Sequence, residues 1–233
     1  MADFFKKVTK SGLPVALTGK DEGAFFAGFV ENADEEFLFM QMLSPSGHFD
    51  GWACVRIEEI ARADVATEYL VMLARVFEYY GEDFREPKIS ARDVLSSFID
   101  QAIKNKWLCT AEVGFETLDK LTGYFVEKDF DTVQMSLVNA SGKRDGFTSF
   151  DFEEIVYITA QGEREKYMET VMEMLAAESP ADGLRGGVSG MSGVSGLGGK
   201  AKQKKETERE KTDHSGSKKE ESGRVITFPK KDK

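Results

Sequence analysis

The sequence predicts an α+β fold in which two tandem small five-stranded β-barrels, each with flanking helices, precede a disordered C-terminal tail. The first observation is a repeat, because "SGHFDGWACVRIEEI" at 46–60 returns as "SGKRDGFTSFDFEEI" at 141–155 with seven of 15 positions identical. The second is the set of short strand-like stretches around each copy, and the third is the loss of hydrophobic periodicity after 178. These observations place the first barrel at 1–81, a linker at 82–89, the second barrel at 90–178 and the tail at 179–233.

Five strand-like stretches occur in each repeat, and each is short and rich in β-branched or aromatic residues. In the first repeat they are LPVALTG, AFFAGFVEN, EFLFMQML, GWACVRI and IARADVA, and in the second WLCTAEVGF, LTGYFVE, TVQMSLV, GFTSFDF and EIVYITA. Such residues favour strands, and "SPSG" and "NASG" suit tight hairpin turns. Because an open sheet leaves unpaired backbone groups at its edges, the five strands predict a strongly bent sheet that closes into a barrel.

Helices are predicted beside the strands from apolar residues at helical spacing. "ATEYLVMLARVFEYYG", with Gly81 at its C-terminal end, follows the first set of strands, and "EREKYMETVMEMLAAE" follows the second. Between the repeats, "SARDVLSSFIDQAIKNKW" contains Ser90 and Asp93, which resemble a capping box. Each unit therefore reads helix, five strands, helix. The sequence leaves open whether the units pack together or swing on "GEDFREPKI".

The charge of the chain is unevenly distributed around a formal total of −10. Residues 179–233 contain 13 Lys or Arg and 8 Asp or Glu, which leaves 18 and 33 in residues 1–178, so an acidic body carries a basic tail. The tail is of low complexity and cannot bury enough apolar surface to fold. Its apolar end "RVITF" is either an unfolded terminus or a short motif that adds a strand to a sheet edge. The tail candidates for interaction are basic or apolar: Lys200, Lys202, Lys204, Lys205, Val225, Ile226 and Phe228.

The histidines and cysteines do not indicate catalysis or metal binding. His214 lies in the charged tail, and His48, in a predicted hairpin turn, is replaced by Lys143 in the second copy. Cys54 and Cys109 form no C-x-x-C pattern, so we expect them to behave as small apolar side chains. The sequence therefore predicts a protein that is not an enzyme, with no catalytic residues, no metal and no cofactor.

The paired carboxylates are also better explained by structure than by chemistry. Adjacent residues on a strand point to opposite faces, so Glu58 and Glu59, like Glu153 and Glu154, cannot readily converge as an acid–base pair. We expect both pairs in the turn between the fourth and fifth strands. The N-terminal "MADFFKKVTKSG" has no apolar signal region and no long apolar stretch follows, so the expected location is cytoplasmic, without a membrane partner.

The order of a helix and five short bent strands resembles the Sm/LSm family, the small SH3-like β-barrels that include the bacterial Sm-like RNA chaperone. Gly28 with "NADEEF", and Gly123 with "KDFDTV", stand where the family has a second-strand glycine and a D-x-x-x-N-like turn. "VRIEEI" at 55–60 and "FDFEEI" at 150–155 stand where the family has I-R-G-x-x-I. The pattern also resembles tandem-barrel bacterial proteins without assigned activity.

This resemblance implies a non-enzymatic binding or scaffold protein that mediates protein–protein assembly, with RNA as a further ligand to test. Because Sm barrels join β4 of one to β5 of the next, it implies self-association through barrel edges, or two units that pair with each other and stop. The RNA-binding candidates are turn-proximal basic residues and one aromatic: Phe49, Arg56, Lys143 and Arg144. The alternative function is a small-ligand sensor or an enzyme that uses an acidic cleft between the barrels.

Overall fold

The computed structural model describes residues 1–20, 25–82, 84–114 and 119–178. The first repeat consists of α1 (Ala2–Ser11), β1 (Pro14–Gly19), β2 (Phe25–Ala33), β3 (Phe37–Leu43), β4 (Phe49–Arg56), β5 (Ile60–Val65) and α2 (Glu68–Tyr80). The second consists of α3 (Val94–Asn105), β6 (Leu108–Val113), β7 (Asp119–Lys128), β8 (Thr132–Val138), β9 (Arg144–Asp151), β10 (Ile155–Ala160) and α4 (Glu163–Glu178). The tail at 179–233, with its candidate lysines at 200–205 and apolar residues at 225–228, lies outside the described residues.

The two closed barrels predicted from the sequence are wrong. The ten strands form one open antiparallel sheet in the order β5-β1-β2-β3-β4-β10-β6-β7-β8-β9. Closing the first repeat would require β4 to pair with β5, whereas β4 pairs with β3 and β10. The physical reason is that β10 satisfies the outer backbone groups of β4, so this edge is protected without closure. A tandem β-barrel is therefore corrected to a single sheet with four helices in the described part, and the fold does not support the likeness to closed Sm/LSm barrels.

The two repeats join at the centre of the sheet, where β4 lies antiparallel to β10. Val55 is opposite Tyr157, and Trp52 is opposite Ala160. This is the pairing of a fourth strand with a neighbouring fifth strand, made within one chain. The described residues belong to one compact unit, so the linker at 82–89 does not separate two independent bodies.

Helix α3 connects the hydrophobic interiors of the two repeats. Phe98 and Ile99 are fully buried, and the ring centroid of Phe98 lies 6.0 Å from that of Phe39 on β3. One continuous core therefore runs from β3 and β4 through α3 into the second repeat. Cys54 and Cys109 lie inside this core as free thiols, which confirms their expected apolar role, and burial raises the pKa of both well above the usual range.

The helices and the 3-10 turns follow the sequence closely, with one correction. The N-cap of α3 is Asp93, whose side chain accepts a hydrogen bond from the Ser96 N–H at 3.2 Å, while Ser90 lies before the helix. The Glu-Glu pairs lie in single 3-10 turns at Ile57–Glu59 and Phe152–Glu154, as predicted. None of the helices in the described ranges combines the length and apolarity needed to cross a membrane.

Gly28 and Gly123 occupy equivalent positions in β2 and β7, where the next strand approaches closely. A Cβ at Gly28 would overlap the carbonyl oxygen of Gln41, and a Cβ at Gly123 would overlap that of Ser136. We expect Gly123→Ala to lower the free energy of unfolding by about 3 kcal/mol, because the backbone must shift to admit the methyl group.

Urea denaturation measures this loss, and Gly146→Ala is the control. Nothing lies within 4 Å of a Cβ added at Gly146, so its cost of about 1 kcal/mol reflects only the positive φ of 81°. Equal losses in the two variants would show that the close approach of β8 to Gly123 is not the cause.

Candidate functional site

Arg56, at the end of β4, fastens the second repeat to the first. The residue is 6% exposed; its Nε donates to the carbonyl oxygen of Ile155 at 2.7 Å, and its Nη2 donates to those of Phe152 at 2.7 Å and Glu153 at 3.1 Å. Its guanidinium carbon also lies 4.6 Å from the centre of the Phe37 ring. Such charge-assisted hydrogen bonds are among the strongest in proteins, so Arg56 is a structural clamp.

The outer face of the first repeat is apolar where the second repeat covers it. Its buried residues on β3 and β4 are Phe37, Phe39, Trp52 and Cys54. Their counterparts 95 positions later on β8 and β9 are Thr132, Gln134, Phe147 and Ser149. Three of these are polar, and the fourth, Phe147, is 66% exposed. The second copy therefore cannot receive a further repeat through the same apolar contacts.

The same asymmetry appears at the clamp, because Asp151 occupies the position that corresponds to Arg56. Asp151 is exposed at the end of β9. Its carboxylate cannot donate hydrogen bonds to the carbonyl oxygens of an approaching strand, as the Arg56 guanidinium does. A strand that pairs with β9 therefore lacks, at this position, the guanidinium contacts that hold the second repeat to β4.

Asp50 makes another polar contact across the junction. Its Oδ1 accepts a hydrogen bond from the Glu163 N–H, at the start of α4, at 2.8 Å. Burial raises the pKa of Asp50 and outweighs the lowering effect of this hydrogen bond. We expect Asp50→Ala to lower the free energy of unfolding by about 1 kcal/mol, since it removes an acceptor from a helix N-terminus.

The matched control for this substitution is Asp145→Ala, because Asp145 is the exposed counterpart of Asp50 in the second copy. We expect the control to change the free energy of unfolding by less than about 0.5 kcal/mol. Thermal denaturation of both variants measures the difference, and similar losses would argue against a capping role for Asp50.

β9 is an edge strand whose outer edge pairs with no strand among the described residues. In its counterpart β4, a Cβ at Gly51 would overlap the Ala160 carbonyl oxygen and the Gly162 nitrogen, which shows how closely β10 approaches. Gly146 in β9 has a similar conformation, with φ of 81° against 86°, but nothing lies within 4 Å of its Cβ position. β9 therefore keeps the local backbone geometry with which β4 receives a strand.

A groove of about 740 Å³ opens beside the junction and draws on both repeats. It is lined by Phe49 at the start of β4, by the linker from 84 to 88, by the end of α3 and by the start of α4. The Phe49 and Phe84 rings are stacked with centroids 4.7 Å apart, and Phe84 also meets Trp52 edge-on at 5.7 Å. This packing fixes the position of Phe84 and therefore of the charged linker residues that follow it.

This groove is basic although the chain is acidic. The charged residues that line it are four cations and one carboxylate: Arg85, Lys88, Lys104, Lys166 and Glu86. Within the described ranges, none of the four cations forms an ion pair. The charge of Lys166 acts to lower the pKa of three nearby carboxylates: Asp50, which accepts a hydrogen bond from the start of α4, Glu82, which is bonded to His48 and the Phe49 N–H, and Glu169.

No protein-family model, curated protein or solved structure matches this chain. The likeness to the Sm/LSm family that the sequence pattern indicates therefore stays a prediction. Three features of the molecule bear on its function: the junction, the open edge of β9 and the basic groove.

The four residues predicted to bind RNA do not form one surface. Phe49 lies in the groove, Arg56 clamps the junction, and Lys143 and Arg144 lie exposed at the start of β9. Four strands of the sheet separate β4 from β9. The Arg56 guanidinium donates to carbonyl oxygens inside the protein, so it does not face a phosphate. The structure therefore does not bring the four residues together as one RNA site, and RNA binding by Phe49, Lys143 or Arg144 separately stays a prediction.

An acidic cavity of about 670 Å³ lies at the other end of the junction, where the alternative function placed its cleft. Its charged residues come from both repeats: Glu35, Glu36, Arg56, Glu58 and Glu153. Two of these carboxylates are engaged, since Glu35 pairs with Lys6 and Glu58 lies 3.5 Å from Arg56. Among the described residues, no group of three His, Cys, Asp or Glu side chains is placed to hold a metal ion.

His48 lies in the predicted hairpin turn and contributes to local structure. Its Nδ1 shares a hydrogen bond with the carboxylate of Glu82, which lowers the pKa of Glu82, and its ring stacks on Tyr80 at 4.2 Å. These contacts connect the turn between β3 and β4 to the end of α2.

A buried polar cluster, which the sequence did not indicate, lies near the junction. The Tyr157 hydroxyl donates to Glu112 Oε2 at 2.8 Å, and Lys120 Nζ lies 3.1 Å from the same oxygen. Burial is the main cause that raises the pKa of Tyr157, followed by the hydrogen bond to Glu112. The adjoining cavity is only about 20 Å³, which admits about one water molecule, so the cluster is not a substrate site.

The groove cations were also missed by sequence reasoning. They come from the linker, α3 and α4, so no local motif contains them, and they meet only when the repeats pair. The one available signal was the linker "FREPK", in which an aromatic residue precedes two basic ones.

Proposed function

We propose that the chain is a non-enzymatic scaffold that mediates protein–protein assembly, with β9 as its contact strand. The observation that carries this proposal is the open outer edge of β9, together with the space beside Gly146 that β10 fills beside Gly51. An unpaired edge offers a row of backbone donors and acceptors to an extended segment. The partly apolar surface of Phe147, 66% exposed, lies on the same strand.

A second copy of the chain is not the favoured occupant of β9. In the junction between β4 and β10, apolar side chains and Arg56 hold the strands together. The corresponding positions on β8 and β9 carry polar or exposed residues and Asp151. Since β5 corresponds to β10, a neighbouring β5 would meet a carboxylate instead of a guanidinium.

The occupant that we infer is the segment 224–228 of the chain itself, "RVITF". Its β-branched and aromatic residues favour an extended strand, and Arg224 is a cation that can pair with the Asp151 carboxylate. The segment from 179 to 223 has 45 residues and is rich in Gly, Ser and charged residues, and linkers of this length and composition are long enough to bridge roughly 35–40 Å. A tethered segment has a high effective concentration, so it covers the edge until a partner segment of the same pattern displaces it.

The test is hydrogen exchange of the β9 backbone in the full chain. We expect the double substitution Val225→Asp/Phe228→Asp to remove the protection of those amides within 144–151 that face away from β8, because unpaired edge amides exchange rapidly, whereas the amides bonded to β8 stay protected. The matched control, Val188→Asp/Val194→Asp, changes the same residue types in the Gly/Ser-rich part of the tail and should leave protection unchanged.

A synthetic peptide of residues 224–233, added to the double variant, is expected to restore protection, because it can pair with the free edge of β9. This result would show that the edge accepts a segment from outside the chain. Equal exchange in all variants, with no effect of the peptide, would rule out β9 as the contact strand. If light scattering showed that the molar mass of the protein doubles as its concentration rises, in the double variant as well, the occupant would be a second copy of the chain.

A further inference from the structure

We propose that the basic groove beside the junction binds a small planar organic polyanion of the nucleoside polyphosphate class. This site is separate from the β9 edge and goes beyond the proposed scaffold function. It is formed by Phe49, Phe84, Arg85, Lys88, Lys104 and Lys166.

The charge of the groove is the first argument. Residues 1–178 contain 18 basic and 33 acidic side chains, yet four of the basic ones and a single carboxylate line one groove. Like charges gathered in one place repel each other, and a bound anion relieves that repulsion. Arg85 offers a planar fork for phosphate oxygens, and the three lysines offer mobile point charges.

The shape and the walls of the groove are the second argument. Its volume of about 740 Å³ lies within the range of roughly 300–1,000 Å³ that small-molecule sites occupy. Phe49, Phe84 and Trp107 give the groove an apolar wall, and Lys166 Nζ lies 5.3 Å from the centre of the Phe49 ring. Side-chain amides at the rim provide donors and acceptors for a base or a sugar: Gln101, Asn105 and Gln161.

The surroundings of the groove favour a small ligand over a nucleic acid strand. A neighbouring cavity on the far side of Lys166 is lined by Asp50 and Glu163. Further phosphates of a polymer would therefore continue onto acidic surface, where the field of the body opposes them. A compact ligand keeps its charge inside the groove that the four cations line.

Calorimetric titration of the full chain with ATP in magnesium-free buffer tests the proposal. We expect saturable one-to-one binding of ATP, binding of inorganic triphosphate weaker by about tenfold, and none by adenosine up to about 1 mM. The comparison separates the contribution of the ring from that of the phosphates.

Charge reversal identifies the site. Lys88→Glu and Lys104→Glu are each expected to weaken ATP binding by about tenfold or more, because each turns an attraction into a repulsion. Lys7→Glu is the matched control: it makes the same change at an exposed position on α1, outside the groove, and should alter binding less than about twofold.

Three outcomes would overturn the proposal. The first is no saturable binding of ATP. The second is an equal loss in Lys7→Glu and Lys88→Glu, which would show diffuse attraction to the whole chain or its basic tail. The third is a single-stranded RNA that binds more tightly than ATP and is weakened by the same groove substitutions, which would identify a nucleic-acid site. None of these depends on the occupant of β9, so the scaffold proposal is tested separately.

Discussion

Replacing Arg56 with alanine is expected to lower the free energy of unfolding by about 3–5 kcal/mol. The substitution leaves the buried carbonyl oxygen of Ile155 and the partly buried ones of Phe152 and Glu153 without their donor. A buried acceptor left unsatisfied costs about 1–3 kcal/mol, and a partly buried one costs less. Because these hydrogen bonds connect the two repeats, their loss destabilises both halves of the sheet together. Urea denaturation followed by tryptophan fluorescence measures it.

Arg62→Ala is the control for Arg56→Ala. Arg62 on β5 pairs with Asp64 at 2.9 Å, but its side chain is 72% exposed, so we expect a change below about 0.5 kcal/mol. We also expect Arg56→Lys to recover only part of the stability, because a single ammonium group cannot reproduce the planar fork. If Arg56→Ala were as stable as Arg62→Ala, Arg56 would not be the clamp of the junction.

Trp52→Ala is expected to have an effect of similar size, about 3–5 kcal/mol, because it opens a large cavity at the junction. Trp52 is 1% exposed, its ring stacks on Phe39 with centroids 5.2 Å apart, and Phe49 meets it edge-on at 5.2 Å. Its counterpart Phe147 is 66% exposed, so Phe147→Ala should cost less than about 0.5 kcal/mol.

Thermal denaturation of these two variants compares equivalent positions of one repeated unit. A large difference supports the view that burial by the neighbouring repeat, and not the unit's own fold, determines the role of the position. A comparable loss in Phe147→Ala would mean that the outer face of β9 is covered in the folded protein, contrary to its exposure here.

The strands and helices could be predicted from the sequence because the forces that define them are local. The stretch at 37–43 is apolar except for Gln41, α4 has apolar residues at helical spacing, and Gly81 ends α2 in the left-handed conformation as predicted. The repeat itself was visible as identity. The expectation that Cys54 and Cys109 are buried followed from the absence of any pairing or metal pattern.

The pairing of β4 with β10, which leaves the sheet open, could not be predicted because it joins distant parts of the chain. About 100 residues separate the end of β4 from the start of β10, and strand-like patterns do not state which strand is the neighbour. The replacement of Phe39 by Gln134 and of Arg56 by Asp151 was a usable signal. It shows that equivalent faces of the two units have different surroundings.

The groove was beyond prediction for a related reason. Lys88, Lys104 and Lys166 lie far apart in sequence and converge only after β4 and β10 pair. Each cation on its own is typical of a solvated surface. Their significance comes from the absence of an ion-pairing partner among the described residues and from the aromatic wall between them, neither of which the sequence states.

The central pair of strands also sets the order in which the protein can be completed during translation. Among the described strands β10 is synthesised last, yet it lies beside β4 in the middle of the sheet. At about 5–20 residues per second, the ribosome needs roughly 5–20 s to add the residues between them. Throughout that interval the edge of β4 has no partner strand, and Phe39 and Trp52 stay uncovered until α3 is made; an unpaired edge beside apolar side chains is prone to aggregation. The chain is therefore most prone to aggregation while it is being synthesised, and the pairing of β10 with β4 removes the exposed edge.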